Sequence, residues 1–256
     1  MKPLVIVTRP GDAGRRLQAT LQQAGREAVW WPAFDIGPAP DAAHARRTLA
    51  GLVDFDLAIF VSPAAVRAAA ELHPQPWPAN TAIGAVGAAT AAAVGEWLRL
   101  PAEVPVIAPA SQDETGSEAF MAEWRRQGRR ARRVLIVRAQ HGREWLAQRF
   151  AEGGSHVETL AVYARTESAL DASAQRRLEG AVAADTPVAT VFSSSEAIGA
   201  LDRSVQAVPA ARAWLRRGVA VATHARIAEQ LLAAGYSRVL TAASDDVAVL
   251  AQLESL

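Results

Sequence analysis

Short apolar runs alternate with longer segments in which apolar residues recur at helical spacing, from one end of the chain to the other. A strand followed by a helix, repeated many times, is typical of parallel sheets that are covered by helices on both faces. Because both faces of such a sheet are buried, its strands are continuously apolar rather than alternating, as at residues 57–61 and 134–137. The pattern therefore predicts an α/β fold built on parallel sheets.

The apolar runs predict ten strands, which is many for a single open sheet. They lie near residues 3–8, 28–33, 56–61, 81–86, 105–108, 133–138, 157–164, 187–193, 218–222 and 238–241. Residues that favour helix termini delimit the helices between them. We predict N-terminal caps at Asp12, Asp41 and Ser244, and helix C-terminal ends at Gly25 and Gly235.

Two stretches rich in proline or polar residues interrupt the pattern, at residues 34–40 and 164–168. Such stretches commonly mark the points at which a chain crosses between domains. We therefore predict one domain at residues 38–164. The other domain is discontinuous and is formed by residues 1–36 and 168–256.

An internal repeat supports this division. Residues 60–66 and 192–198 match as a strand end, a turn that carries a hydroxyl group, and a helix start. In each half a second strand-to-helix junction follows, at residues 84–90 and 221–226. The simplest interpretation is two similar α/β domains.

The composition is unusual in two reactive residue types, lysine and cysteine. Lys2 is the one lysine, so 26 of the 27 basic residues are arginines, and there is no cysteine. This excludes thiolate nucleophiles, cysteine-ligated metals and disulfides, and also a pyridoxal phosphate anchor, a Schiff base or a P-loop lysine. Arginines, hydroxyls, backbone amides and carboxylates must carry the chemistry.

The net charge of +1 gives no electrostatic reason to expect a nucleic-acid partner or an anionic membrane. We interpret the six arginines within residues 125–133 as the solvated end of a helix and the turn after it. No signal peptide is recognisable, and no stretch approaches the ~20 apolar residues of a membrane span. We expect a cytoplasmic protein.

In open α/β sheets, ligands bind beyond the carboxyl ends of the strands, where helix N-termini present N–H groups. The residues predicted there are mostly hydroxyls, small residues and cations. They are Thr8, Arg9, Ser62, residues 84–87, Ser111, Gln112, residues 138–143, Tyr163, residues 193–195, Thr223 and His224. The near absence of Asp and Glu argues against a paired-carboxylate hydrolase or a Mg²⁺ or Ca²⁺ site and favours a polyanionic ligand.

Simpler roles remain open for several of these residues. Ser62 and residues 193–195 are equally suited to helix capping without ligand contact. Gly84 and Gly87 lack the GxGxxG spacing of a dinucleotide site, which disfavours a nicotinamide cofactor. The histidines show no metal-ligand spacing, and no GxSxG nucleophile motif is present.

Taken in order, these segments resemble the uroporphyrinogen-III synthase family over essentially the whole chain. The matching segments are residues 5–10, Gly25, residues 56–66, 85–91, 134–138, 142–146, 162–165, 192–194, 224–228 and 235–236. The resemblance implies two α/β domains joined by a two-stranded linker, the first of them discontinuous.

The resemblance also implies an activity, namely a cyclising lyase of porphyrin and heme biosynthesis. The family closes hydroxymethylbilane, a linear tetrapyrrole with acetate and propionate arms, into uroporphyrinogen III. Water is lost and the last pyrrole ring is inverted through a spiro intermediate. Neither a cofactor nor a metal is implied.

Site residues follow from the same resemblance. Tyr163 matches a tyrosine that points into the family's cleft, and we expect its hydroxyl to help the leaving hydroxyl depart. Donors for the substrate's carboxylates are expected at Thr8, Arg9, Ser62, Gly87, Arg138, Arg143, Ser193, Ser194, Thr223 and His224. We expect a monomer whose partner is this small molecule, with a transient contact to the preceding pathway enzyme.

Two alternatives stay open. A non-catalytic two-domain protein that closes on a small ligand would bind tightly without turnover. A nucleotide-sugar glycosyltransferase would need an Asp or Glu near a strand end to hold the ribose, and the positions above supply none.

Overall fold

The computed structural model describes residues 2–111 and 115–256, which divide into two compact units. Unit 1 contains the described residues up to Ile36 together with Thr166–Leu256, and unit 2 contains Gly37–Arg165. The predicted boundaries lie within two residues of these. That each unit folds as a separate domain stays a prediction.

The described residues form eleven strands. They are β1 (Leu4–Val7), β2 (Ala28–Trp30), β3 (Phe34–Gly37), β4 (Leu57–Phe60), β5 (Ala82–Ala85), β6 (Val106–Ile107), β7 (Arg133–Ala139), β8 (His156–Glu167), β9 (Val188–Phe192), β10 (Val219–Ala222) and β11 (Arg238–Thr241). All ten predicted strands are present, so that prediction is confirmed.

The described residues also form eleven α-helices and a single 3₁₀ turn at Leu52–Asp54. The helices are α1 (Gly11–Gln23), α2 (Ala42–Ala50), α3 (Pro63–Leu72), α4 (Ala88–Trp97), α5 (Ser117–Arg126), α6 (Trp145–Glu152), α7 (Ala172–Ala183), α8 (Glu196–Ser204), α9 (Ala211–Arg217), α10 (Ala225–Ala233) and α11 (Asp246–Glu254). Of the six arginines in residues 125–133, five lie at the end of α5 or in the turn after it, and Arg133 is the first residue of β7; all six are exposed, as predicted.

The strands form two sheets. One has the order β11-β10-β9-β1-β2 and the other β3-β8-β7-β4-β5-β6. All neighbours in the first sheet run parallel, and so do β8, β7, β4, β5 and β6 in the second. The predicted α/β class with parallel sheets is confirmed.

β3 is the strand that the sequence did not predict, because its proline-rich flank was interpreted as a crossing. Phe34 is its one buried residue, since Asp35 and Ile36 are exposed, so β3 is a short, mostly exposed strand that ends just before Pro38. β3 neighbours β8, which continues to Glu167 through the second predicted crossing. The chain therefore passes from one unit to the other inside β3 and inside β8.

Two of the predicted helix starts are wrong by one or two residues. α1 begins after Pro10, with Asp12 inside its first turn, and α11 is capped by Asp245 rather than by Ser244. In both places a neighbouring residue has the extended backbone of a cap. The cap at Asp41 is confirmed, since its carboxylate accepts from the backbone N–H of His44.

The predicted helix ends at Gly25 and Gly235 are confirmed. Each glycine follows the last helical residues with φ near +70° and +90°, a conformation that glycine adopts without a Cβ clash. The next backbone N–H in each case bonds back to the helix, from Arg26 to Leu21 and from Tyr236 to Leu231. These bonds complete the helix ends.

Apolar layers cover both faces of each sheet, which explains the continuously apolar strands. On β1, Leu4 and Ile6 pack into one cluster while Val5 and Val7 pack into the opposite one. On β4, Ala58 and Phe60 face one layer while Leu57 and Ile59 face the other. Polar groups are thereby displaced to the strand ends.

The start of α1 lies unusually close to the strand end before it. A Cβ at Gly14 would lie 1.9 Å from the Arg9 carbonyl oxygen and 2.4 Å from Trp30 Nε1. That carbonyl accepts a hydrogen bond from Trp30 Nε1 at 2.8 Å. The guanidinium of Arg15 covers the Trp30 ring at 3.9 Å from its centroid. Glycine at position 14 therefore permits the contact that holds the Arg9 backbone.

We predict that Gly14→Ala destabilises the protein, because neither the backbone carbonyl nor the indole can move away cheaply. The expected loss in the free energy of unfolding is about 1–3 kcal/mol, measured by urea denaturation. Gly180→Ala is the matched control, since a Cβ there meets nothing within 4 Å. In α7 that change should stabilise by roughly 0.5–1 kcal/mol. Equal effects of the two substitutions would contradict the packing argument.

Candidate active site

In unit 2, four of the predicted site residues lie along one edge of the sheet. The strand order β8-β7-β4-β5 brings their positions together: Arg138, Ser62 and Gly87 lie at or beyond the carboxyl ends of their strands, and Tyr163 lies within β8, opposite the last residue of β7. Parallel strands place all their carboxyl ends at one edge, where the following helices begin. The geometry is therefore that of a ligand site in an open α/β sheet.

Tyr163 lies on β8 with its ring inside an apolar cluster, and only 6% of the residue is exposed. Its hydroxyl lies 3.2 Å from Ser62 Oγ, which follows β4. Since β7 separates β8 from β4, the side chains meet across the end of β7. There the residue opposite Tyr163 is the small Ala139, and a β-bulge interrupts the register just before it.

Ser62 caps α3, with Pro63 as the first helical residue. Its Oγ accepts the backbone N–H of Ala65 at 3.1 Å. The capping interpretation of Ser62 is thus confirmed, and the same oxygen also contacts the phenol. The N-terminus of α3, Ser62 and Tyr163 form one connected chain of polar groups.

Gly87 is the residue before α4, where the chain is extended and buried. A Cβ at this position would lie 3.2 Å from Thr115 Cγ2. The segment that contains Thr115 is anchored by the backbone N–H of Gly116, which donates to the Val86 carbonyl at 2.7 Å. Gly87 therefore permits this segment to lie against the start of α4.

Arg138 and Arg143 are already paired with carboxylates of unit 2. Arg138, 14% exposed at the end of β7, donates to Glu144 Oε1. Arg143 donates to Glu118 Oε1 in the first turn of α5. Both glutamates are more than half exposed. The two predicted cations thus lie at the carboxyl edge, each with an acidic partner.

In unit 1, Thr8 and Arg9 follow β1. Thr8 is fully buried, and its hydroxyl donates to the Val191 carbonyl at 2.7 Å, so that proton is used within the fold. Arg9 pairs with Asp246 Oδ1 at 2.7 Å and donates to the Ser244 carbonyl at 2.9 Å. These bonds tie the end of β1 to β9 and to the start of α11.

The remaining predicted residues of unit 1 lie at two helix starts. Ser194 Oγ accepts from the Ala197 N–H at 3.3 Å ahead of α8, and half-buried Ser193 precedes it. His224 caps α10, its Nδ1 accepting from the Arg226 N–H at 3.1 Å, and its side chain is exposed. The Thr223 N–H donates to the Phe192 carbonyl, which fixes the turn before α10. Gln112 lies outside the described residues.

The expectation that acidic residues are almost absent from these ends is wrong. The sequence analysis missed Glu118, Glu144 and Asp246, which neutralise three arginines. Each of these acids lies in the first turn of a helix or directly before it, a position that the helix dipole favours for carboxylates. An acid at a predicted helix start near a strand-end arginine is the signal that could have found them.

Other features of the described chain lie away from this edge. A cavity of about 230 Å³ in unit 2 is lined by Trp77, Trp97 and His73, at the amino ends of β5 and β6.

Within residues 2–111 and 115–256, no cluster of three or more His, Asp or Glu side chains could hold a metal ion. No helix in that part of the chain is long and apolar enough to cross a membrane.

Solved structures share the fold. A crystal structure of a mutant uroporphyrinogen III synthase from Thermus thermophilus aligns with a TM-score of 0.62 and 18% identity, covering 100% of this chain and 97% of that one. The uroporphyrinogen-III synthetase of Helicobacter pylori aligns with a TM-score of 0.59 and 17% identity, covering 100% of this chain and 99% of that one.

Sequence comparison places the chain in a family. Uroporphyrinogen-III synthase of Escherichia coli is 30% identical over 164 residues, and that of Salmonella typhimurium is 27% identical over the same length. The aligned part covers 63% of this chain and 64% of each relative, less than two thirds of their length. The family profile described as uroporphyrinogen-III synthase HemD matches residues 15–252. The chain therefore belongs to the uroporphyrinogen-III synthase family, and the resemblance drawn from its sequence is confirmed.

Proposed function

We propose that this chain catalyses the reaction for which its family is named, the closure of hydroxymethylbilane to uroporphyrinogen III. Family membership over residues 15–252 is the observation that carries the proposal. The residues at the strand ends agree with it, because they offer hydroxyls, cations and helix starts to a ligand with many carboxylates.

The reaction makes modest demands on the protein. The substrate carries its own leaving hydroxyl and an electron-rich pyrrole, so positioning is the main task, and it can contribute up to roughly 7–11 kcal/mol in favourable intramolecular reactions. Keeping the spontaneous isomer near one per cent requires an advantage of only about 2.7 kcal/mol. A strong acid or a nucleophile is not needed.

Tyr163 is proposed as the residue that assists loss of the hydroxyl as water. The Ser62 oxygen already accepts the Ala65 N–H, and in our proposal the Ser62 hydroxyl donates to the phenol oxygen. The phenol proton is then left for the leaving hydroxyl. The protein thereby promotes formation of the azafulvene from which the spiro intermediate arises.

The other site residues are proposed to bind the acetate and propionate arms. In unit 2 these are Gly87, at the start of α4, and the cations Arg138 and Arg143. In unit 1 Ser193, Ser194, Thr223 and His224 offer backbone and side-chain donors at the starts of α8 and α10. Thr8 and Arg9 hold the end of β1 in place through their own bonds.

We further propose that the protein acts as a cytoplasmic monomer, without a nucleic-acid or membrane partner and with transient contact to the preceding pathway enzyme. The near-neutral net charge of +1 gives no attraction for nucleic acid or an anionic membrane, which supports the proposal that neither is a partner. The substrate's tendency to close spontaneously supports the proposed contact with the preceding enzyme, since direct transfer would shorten the time that the substrate spends in solution.

The decisive experiment supplies the purified protein with freshly generated hydroxymethylbilane, oxidises the product and separates isomers I and III. We expect isomer III to dominate. Isomer I alone, formed at the rate seen without protein, would contradict the proposed function.

We predict that Tyr163→Phe lowers kcat about a hundredfold, the low end of what general acid catalysis contributes. The chain has one other tyrosine, Tyr236, which provides the matched control. Tyr236 is 2% exposed, and its hydroxyl has no hydrogen-bond partner among the described residues. Burial raises the pKa of this phenol, so it remains protonated. Tyr236→Phe should leave kcat unchanged, and unchanged turnover in both variants would remove Tyr163 from the mechanism.

Ser62→Ala should lower both activity and stability, because one oxygen serves the phenol and the helix cap. We expect a loss of about 1 kcal/mol in the free energy of unfolding, together with a several-fold fall in kcat. Ser62→Thr retains the hydroxyl and should restore most of both. A fall in stability with full kcat in Ser62→Ala would show that the contact with Tyr163 has no catalytic role.

A further inference from the structure

The arginines at the carboxyl edge of unit 2 hold the same chemical group that the proposed substrate carries. Beyond its Cα, a glutamate side chain is –CH₂CH₂–COO⁻, which is the propionate arm of hydroxymethylbilane. Arg138 binds such a group from Glu144, and Arg143 binds one from Glu118. Each guanidinium is therefore already arranged to bind an alkyl carboxylate.

Arg138 is more enclosed than its partner. Its side chain is 14% exposed whereas that of Glu144 is 54% exposed. The segment before α6 folds over Arg138. Arg138 Nη1 lies 3.5 Å from the Arg143 carbonyl oxygen, and a Cβ at Gly142 would lie 3.5 Å from the same nitrogen. The cation is thus held in place by the fold, while the carboxylate extends from the solvent side.

Neither glutamate is committed to a helix cap. Glu144 precedes α6 without a side-chain bond to that helix, and Glu118 lies in the first turn of α5, which Gly116 precedes. Both carboxylates are 54–56% exposed. Each carboxylate already faces water, so turning it outward costs little hydration, and the guanidinium that it leaves is paired again by the incoming carboxylate.

We propose that Glu144 and Glu118 are internal stand-ins for substrate propionates. In the ligand-free protein they occupy Arg138 and Arg143 and keep both guanidinium groups oriented. When substrate binds, its arms replace the glutamates, which rotate into solvent. Arg138 and Arg143 are thus paired with a carboxylate in both states, and the strength of the internal pairs sets the apparent affinity for substrate. This inference rests on the proposed function for the identity of the ligand.

The Arg9 pair is different, and we assign it no exchange. Asp246 is only 28% exposed, and Arg9 also donates to the Ser244 carbonyl. Asp246 is thus the least exposed of the three carboxylates and, unlike Glu144 and Glu118, is held against the fold rather than extending into water.

The test is a pair of substitutions that remove the competing charge but keep the side-chain shape, Glu144→Gln and Glu118→Gln. We expect each to lower KM for hydroxymethylbilane about two- to fivefold, the range that corresponds to losing one exposed ion pair. The value of kcat should stay close to that of the parent protein. A merely structural pair would leave KM unchanged or raise it, and either result would overturn the proposal.

The matched control is Glu152→Gln. Glu152 is 57% exposed and pairs with Arg149 at the other end of α6, so it is an Arg–Glu pair of similar exposure within unit 2. The control has the same change in net charge, and it separates local exchange from general attraction of an anionic substrate. An equal fall in KM in Glu152→Gln would overturn the proposal.

A second measurement does not depend on turnover. An octacarboxylate porphyrin, the oxidised form of the product, is titrated against each variant by fluorescence, and Glu144→Gln should lower its Kd by the same two- to fivefold. Tighter porphyrin binding without formation of isomer III would support exchange and contradict the proposed function. Formation of isomer III with unchanged KM and Kd would support the proposed function and contradict the exchange.

Discussion

Burial of both faces of each parallel sheet is the constraint on which the rest of the structure depends. Successive residues of a strand point to opposite faces, and in both units both faces are covered by apolar layers. A polar side chain in the middle of such a strand would lose its water without gaining a partner. The chemistry is therefore confined to the strand ends and helix starts, where Ser62, Tyr163 and His224 have hydrogen-bond partners.

The same constraint explains what could be predicted from the sequence. Continuously apolar runs are unambiguous, so ten strands and the carboxyl-edge positions of Ser62 and Arg138 followed from pattern alone. β3 was missed because a short strand with a single buried residue beside Pro38 resembles a linker. The partner of Arg9 was missed for a different reason, since Asp246 lies 237 residues away and only the folded sheet brings the two together. That pairing is not encoded in local spacing, whereas Glu144, at the start of α6, follows Arg138 closely in the sequence and could have been found.

The site also illustrates how one atom can serve fold and chemistry together. The Ser62 hydroxyl oxygen accepts from the Ala65 N–H in the first turn of α3 and meets the phenol of Tyr163 across the end of β7. Such a contact requires a small residue on the intervening strand, and Ala139 occupies that place beside the bulge. The proposed catalytic geometry is thus fixed by elements of secondary structure, which suits a reaction that depends on positioning.

The ion pairs of Arg138 and Arg143 have a consequence for the small anions that surround any protein in a cell. A single acetate or phosphate ion that approaches either arginine must compete with a glutamate tethered a few ångströms away, whose local concentration is very high. A ligand with several carboxylates on one covalent frame has the same advantage of tethering once its first arm is bound. With substrate binding at these arginines as proposed, the pairs distinguish ligands by the number of linked carboxylates, and small anions with a single charged group are disfavoured without any steric barrier.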